Sequence, residues 1–348
     1  MITDAHPWRI AFLGVGHPHA HMWARAVDER SDATIAAVHD PDAALARDFA
    51  ALYHAPTVTL EEAVGQAIDA VVVDGRNSQA ASFATSSLEA GLPTFIEKTG
   101  GMSAAELHAV ANVASRANLP TQLGYFLRYS EAVRRAKEVL EQGTLGRISL
   151  ARFHCAIPHK AWADSPDWFA DPSNVVGPFN EAGCHMIDIV RMLLGDPTSV
   201  SGSMSHWDGT ANPFEASLGA VLSYPSTTVT VTFTAHEANP WNHNWSFEIS
   251  GTDGTLRGGL TPSWAELNTG TLNWDPLTPP LPTAETDLAA SLTRENATFM
   301  RDGFEYFLNS ARHGGPAVVD ARSGALTLQL IEAVYADARG RITPQSRK

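Results

Sequence analysis

Cysteine is scarce in this 348-residue chain, which has only Cys155 and Cys184. Two thiols cannot supply a disulfide framework, so the fold has to rest on a hydrophobic core, and reduced thiols are the simpler expectation. Positive charge is short as well. Lys and Arg number 24 against 38 Asp and Glu, a net charge of −14, and no basic patch marks a nucleic-acid partner. Long apolar runs are missing too; "AVVVDG" is far too short to span a bilayer. The N-terminus "MITDAHPWRIAFLGVG" lacks the basic and apolar regions of a secretory signal, so a cytoplasmic protein without a membrane partner is expected. There is no internal repeat and no low-complexity segment. What is present, 44% apolar and 18% charged residues, suits a soluble globular chain with two domains, each with its own core.

Strand and helix patterns alternate with short connections through residue 125. "RIAFL", "ATIAAVHD", "DAVVVDG" and "PTFIEK" read as buried strands, with a helical pattern after each. The helix over "PDAALARDFAALYH" is expected to open at Pro41. This alternation predicts an α/β domain over 1–125 with a doubly wound parallel sheet. From 126 to 348 the pattern changes to α+β. Alternating β-branched stretches such as "RISLARFHCAI" and "SYPSTTVTVTFTAHEA" predict a large, mostly antiparallel open sheet. One helix, "EAGCHMIDIVRMLLG", is expected early in this domain, and the last helix is expected to pack back on the first domain.

The stretch "GVGHPHAHMW" carries the first two glycines of a G-x-G-x-x-G loop, Gly14 and Gly16, with His19 in the third position. A strand precedes it, a helix follows, and Asp40 ends the next strand 21 positions beyond His19. That context points to a Rossmann dinucleotide loop. Gly14 permits the tight turn, and Gly16 lets backbone approach a pyrophosphate at the helix N-terminus. Without a third glycine the helix should sit slightly displaced, with Ala20 taking the close contact. Asp40 suits the ribose hydroxyls and repels a 2′-phosphate, which selects NAD over NADP. His17 and His19 are expected to line the cofactor groove. A metal site on His17, His19 and His21 is not expected, because no nearby cysteine or carboxylate completes a set.

Two further stretches carry chemistry. "FIEKTGG" places Glu97 and Lys98 at the carboxyl end of a strand, where ligands bind in open α/β sheets. "NEAGCHMID" sets Glu181, His185 and Asp188 at spacings of four and three, which predicts one shared helical face.

With these motifs the sequence resembles the glucose–fructose oxidoreductase/inositol dehydrogenase (Gfo/Idh/MocA) family. The resemblance rests on the G-x-G loop, on "EKT" for the family's E-K-P, on "LGYFLRYSEAVRRAKEVLEQGTLGRI" and on "GCHMIDIVRMLLG" for its G-x-H-x-x-D helix. It implies a Rossmann NAD-binding domain, with Glu97 and Lys98 beside the cofactor. It also implies a second domain for substrate, whose open sheet mediates a homodimer or homotetramer. Two positions depart from the family pattern: Thr99 replaces its proline, and Glu181 its aspartate.

Hydride leaves an alcohol carbon only as the hydroxyl loses its proton, so a base and a cation are required. His185 is the expected base, Lys98 the cation and Glu181 an orienting carboxylate. Arg128, Tyr129, His159, Trp162, Trp168 and Asp188 are the expected substrate-binding residues, because polar tips and aromatic faces suit sugars. The expected reaction is NAD-dependent oxidation of a secondary hydroxyl of a sugar, polyol or glycoside. Two alternatives remain open at this point: a glycosidase that oxidises a ring hydroxyl transiently on a retained NAD, and a cofactor-binding sensor without turnover.

Overall fold

The structure is a computed structural model that describes residues 7–65, 67–158, 167–206, 213–238, 245–281, 283 and 285–340. The chain forms two compact units. One holds the described residues of Met1–Tyr125, Ser165–Val175 and Met300–Leu326; the other holds those of Phe126–Asp164, Val176–Phe299 and Thr327–Lys348.

The first unit is built on five parallel strands: β1 (Trp8–Leu13), β2 (Ala33–His39), β3 (Ala70–Val73), β4 (Thr94–Ile96) and β5 (Thr121–Leu123), in the order β2-β1-β3-β4-β5. All four residues of β3 and the last four of β1 are buried. Such strands read as continuous apolar runs because helices cover both faces of a parallel sheet. Helices α1 (Ala20–Asp28), α2 (Ala43–Leu52), α3 (Leu60–Ala63), α4 (Asn77–Glu89) and α5 (Ala104–Ala117) connect them. A single parallel bridge, Thr57 to Val38, lies on the outer side of β2. Counted as a vestigial third strand, it turns the order into the 3-2-1-4-5-6 of a Rossmann sheet. The α/β class read from the sequence is therefore the observed one.

Local chemistry sets the helix starts. Thr59 and Glu62 form a capping box at α3, and Ser103 accepts the Glu106 amide at α5. Asp42, not Pro41, opens α2. Its carboxylate accepts from the Ala44 and Leu45 amides, so the helix begins two residues later than the proline suggested.

The second unit contains an eight-stranded sheet: β6 (Ile148–Pro158), β7 (Ser199–Ser205), β8 (Ser217–Ser223), β9 (Thr228–Glu237), β10 (Ser246–Gly251), β11 (Thr255–Gly259), β12 (Trp264–Asn268) and β13 (Asp275–Pro276). The order is β13-β12-β11-β10-β6-β9-β8-β7, antiparallel except for the central β6–β9 pair. Along β9, Val229, Val231, Phe233 and Ala235 are buried while the intervening threonines are at least partly exposed. One face thus belongs to the core and the other is polar. A 3-10 turn (Phe126–Tyr129) leads into α6 (Glu131–Glu141), and a π-helical turn (Phe179–Gly183) runs into α7 (Cys184–Leu194). The chain closes with α8 (Glu285–His313) and α9 (Ala321–Gly340). No helix among the described residues is long and apolar enough to cross a membrane.

Candidate functional site

In the first unit, β1 ends in a turn at Gly14, whose φ is +73°. A Cβ there would lie 2.4 Å from Gly75 Cα, so position 14 requires glycine for space as well as for conformation. The loops after β1 and β3 thus meet backbone to backbone at the switch point of the sheet, where open α/β folds bind ligands. Gly16 is different. A Cβ there would meet Leu45 at 3.7 Å and Trp168 at 3.9 Å, ordinary van der Waals contacts, so packing does not require glycine at this position. A glycine before the N-terminus of α1 instead suits close approach of backbone to a dinucleotide's pyrophosphate.

Asp40 follows β2, and its two carboxylate oxygens accept the amides of Val15 and Asp42, each at 2.8 Å. It therefore ties the glycine loop to the end of β2, and each oxygen keeps a lone pair for a ribose hydroxyl. Ala20 is fully buried at the start of α1, as the missing third glycine demands. Trp168, expected to bind substrate, is 7% exposed in this unit, and its indole donates to the Gly16 carbonyl at 3.0 Å.

Below the loop lies a buried polar cluster. His19 takes the third glycine position as the N-cap of α1 without capping it; its ring Nδ1 pairs with Glu97 Oε1 at 2.9 Å instead. The other Glu97 oxygen accepts from the Trp23 indole at 2.6 Å. Lys98 Nζ is 3.3 Å from His17 Nε2 and 3.8 Å from Glu97 Oε1. His17, Glu97 and Lys98 are each at most 5% exposed. Thr99 is fully buried after a cis Lys98–Thr99 peptide, and its hydroxyl donates to the Gly101 carbonyl. Asp74, at the end of β3, is fully buried too, and neither of its oxygens has a hydrogen-bond partner among the described residues. Burial, and after it the nearby Glu97, push its carboxyl well above the usual range, while Lys98 pulls the other way.

One ligand atom each from His17, His19 and Glu97 lies within 4.8 Å of the others. The sequence showed no carboxylate near the histidines. The fold brings one from 78 positions along the chain. Asp74 and Trp23 were not singled out from the sequence. Asp74 had a legible signal, an acidic residue closing a buried strand at the ligand-binding edge; Trp23 had none, since an indole on an amphipathic helix reads as core.

In the second unit, Glu181, His185 and Asp188 are all buried, at 4%, 4% and 0% exposure. They do not share one regular helix. Glu181 lies in the π-helical turn, whose bonding runs i→i+5, and the regular helix α7 that carries His185 and Asp188 starts only at Cys184. Glu215, unmarked in the sequence, holds that turn. One of its oxygens accepts from the Phe179 amide at 2.7 Å and from the Tyr335 hydroxyl at 2.6 Å. The His185 ring makes edge-type contacts with Phe126 at 5.1 Å and Trp245 at 6.0 Å. Arg128 and Asp188, expected to bind substrate, are hydrogen-bonded to each other, and Tyr129 is 7% exposed in the 3-10 turn. His159 and Trp162 lie outside the described residues.

A Rossmann sheet with a glycine loop, an acidic residue after β2 and a Glu-Lys pair after β4 defines a dinucleotide-binding class of protein. The profile of an oxidoreductase family with an NAD-binding Rossmann fold matches residues 8–125, and that of the GFO/IDH/MocA C-terminal domain matches residues 133–257. The chain belongs to the Gfo/Idh/MocA family. It is 29% identical over 199 residues to the rhizopine catabolism protein MocA of Rhizobium meliloti, covering 55% of this chain and 59% of that one. It is 30% identical over 194 residues to inositol 2-dehydrogenase 1 of Saccharopolyspora erythraea, covering 53% and 54%. The matches thus span little more than half the length of these relatives. An oxidoreductase from Agrobacterium radiobacter, solved with NAD+, L-tartaric acid and magnesium, superposes with a TM-score of 0.82 at 18% identity, over 96% of this chain and 97% of that one. At that identity the likeness is one of fold.

Proposed function

We propose that this protein is an NAD-dependent oxidoreductase that acts on a secondary hydroxyl of a sugar, polyol or glycoside. The observation that carries the proposal is the buried Lys98, set at the end of β4 in the same unit as the glycine loop at the switch point of the sheet. A buried lysine is rare unless its charge has work to do or a partner to meet. Gly14, Gly16, His17, His19, Asp40, Glu97 and Lys98 form the cofactor site in this proposal. NAD, when bound, supplies the hydride acceptor.

His185 takes the hydroxyl proton, Lys98 steadies the developing oxyanion, and Glu181 orients the reacting group. The π-helical turn beneath Glu181 supports this assignment, because such turns cluster at functional sites. Relatives named as inositol dehydrogenases support the substrate class. The polar face of the eight-stranded sheet is the proposed contact between copies in a homodimer or homotetramer.

Purified protein supplied with NAD and a panel of sugars, inositols and aryl glycosides tests the reading. Reduced NAD and released aglycone are followed together. NADH formed in proportion to substrate is expected. Aglycone released without net NADH would replace dehydrogenation by transient redox glycosidase chemistry, and inertness across the panel would remove both.

A further inference from the structure

Glu215 and Tyr335 are a buried acid and a buried phenol of the second unit that the proposed reaction leaves unused. Both meet the backbone of one short stretch. Helix starts leave their first amides without partners, and Pro178, just before the π-helical turn, provides no side-chain cap. The missing acceptors come from far along the chain. Glu215 Oε1 accepts the Phe179 amide at 2.7 Å. The Tyr335 hydroxyl, which donates to the same Glu215 oxygen, accepts the Asn180 amide at 3.3 Å. The next amide, that of Glu181, donates to the Gly177 carbonyl at 3.1 Å. Three successive amides are held in this way, ending at Glu181 itself.

Two glycines make room for the same brace. A Cβ on Gly177 would lie 2.6 Å from Glu215 Oε2 and 2.6 Å from the Tyr335 hydroxyl, so the pair rests directly on this residue. A Cβ on Gly183 would lie 2.3 Å from the ring of Phe179. That ring is fully buried and also meets those of Phe233 at 5.8 Å and Tyr335 at 6.1 Å. The turn is therefore fixed by hydrogen bonds at one end and by close packing at the other.

We infer that Glu215 and Tyr335 are positioning residues for the reaction: by clamping the amides of Phe179 and Asn180 they set where the Glu181 carboxyl stands. The inference rests on the orienting role proposed for Glu181. A group in that role has to be placed closely, since a shift of about 1 Å can cost a hundredfold in rate. Single π-helical turns are rare, and without the clamp this one is free to relax toward α-helical bonding and to carry Glu181 with it.

The test uses the full chain. Tyr335→Phe removes the hydroxyl and leaves the ring. With NAD and the panel compound that the wild-type protein oxidises fastest, kcat is expected to fall about tenfold in this variant, with NAD affinity and thermal midpoint little changed. Hydrogen exchange in peptides covering 177–185, followed without NAD or substrate, should quicken in Tyr335→Phe and not in Glu181→Gln. In a Glu181→Gln background, Tyr335→Phe should cost no further turnover, because both changes act on one group. Glu215→Ala should repeat the pattern, and Tyr335→Phe serves alone if that variant does not fold. Exchange or turnover at the wild-type level in Tyr335→Phe overturns the inference. So does a loss that multiplies with that of Glu181→Gln, the mark of a merely structural role. Those results leave the proposed function standing. Full turnover in Glu181→Gln would instead remove the orienting role of Glu181, and the inference with it.

Discussion

Arg128 and Asp188 are joined by two parallel hydrogen bonds, Nε to Oδ2 at 2.5 Å and Nη2 to Oδ1 at 2.6 Å, with Asp188 fully buried. A planar fork meeting a carboxylate in this way fixes geometry as well as charge. It sets the 3-10 turn before α6 against α7, the helix that carries His185. Removing one partner leaves the other charged and buried. Asp188→Ala is expected to cost about 3–5 kcal/mol of unfolding free energy, while the double replacement Arg128→Met with Asp188→Leu should recover most of it. Urea unfolding of the three variants decides the matter; a loss under 1 kcal/mol for Asp188→Ala would show the pair to be dispensable.

Asp40 is expected to choose the cofactor. The unmodified protein should bind NAD more tightly than NADP by roughly 1–3 kcal/mol, the scale of an unmet or repelled charge, and Asp40→Ala should narrow that gap. Calorimetric titration with both dinucleotides measures it. Equal affinities before mutation would sink the assignment.

Gly14 has no room for a side chain. Gly14→Ala places a methyl group against Gly75 Cα in a backbone conformation that L-residues avoid, which alone costs about 1–3 kcal/mol. The loop has to shift, so NAD affinity should fall together with thermal stability. Gly16→Ala, which meets only ordinary contacts, should keep the stability and lose affinity alone. Identical behaviour of the two variants would contradict the different demands placed on these glycines.

Turnover is expected to fall about a hundredfold or more in Lys98→Ala and in His185→Ala, the range of a positioned acid or base. NAD affinity should be unchanged in His185→Ala, because that residue has no part in the proposed cofactor site. Steady-state rates on the true substrate, with NAD binding measured separately, check both statements. Near-normal turnover in His185→Ala would mean that the base is elsewhere.

Acid stability should depend on Asp32. The hydrogen bond from Arg30, opposed by burial and joined by one from Arg312, holds its carboxyl well below the usual range. A depressed folded pKa contributes stability that is fully present above the unfolded value, near 4, and lost as pH falls through the folded one. Asp32→Asn should therefore flatten the dependence of stability on pH between about 4 and 2 while leaving its slope at neutral pH alone. The side chain is nearly half exposed, so the effect should be small and should shrink with salt. An unchanged acid-side slope in the variant would count against it.

The glycine loop, Asp40 and the Glu97-Lys98 pair were legible because each sits at the end of a strand whose apolar run announces it. Position along a parallel sheet then fixes which edge it faces. The antiparallel sheet was legible for a similar reason: alternation along β9 puts valine on one face and threonine on the other. The π-helical turn that carries Glu181 was not. Spacing arguments assume 3.6 residues per turn, and nothing local in "NEAGCHMID" reveals a turn that Glu215 and Tyr335 hold from 36 and 155 positions away. The pairing of Arg128 with Asp188 was not legible either, since no local stretch shows that a charged residue has a partner 60 positions on.

The sequence by itself determined the layers of this protein, the strand edges that carry its chemistry and the acidic residue after β2, because periodicity and glycine placement act within a few residues. Only the tertiary structure decided which polar groups neutralise one another in the interior. It brought Glu97 to His19, and Lys98 and Asp74 to His17, from three separate loops of one sheet. Burial sets the energies of those groups, and burial is a property of the packed chain that no local stretch contains.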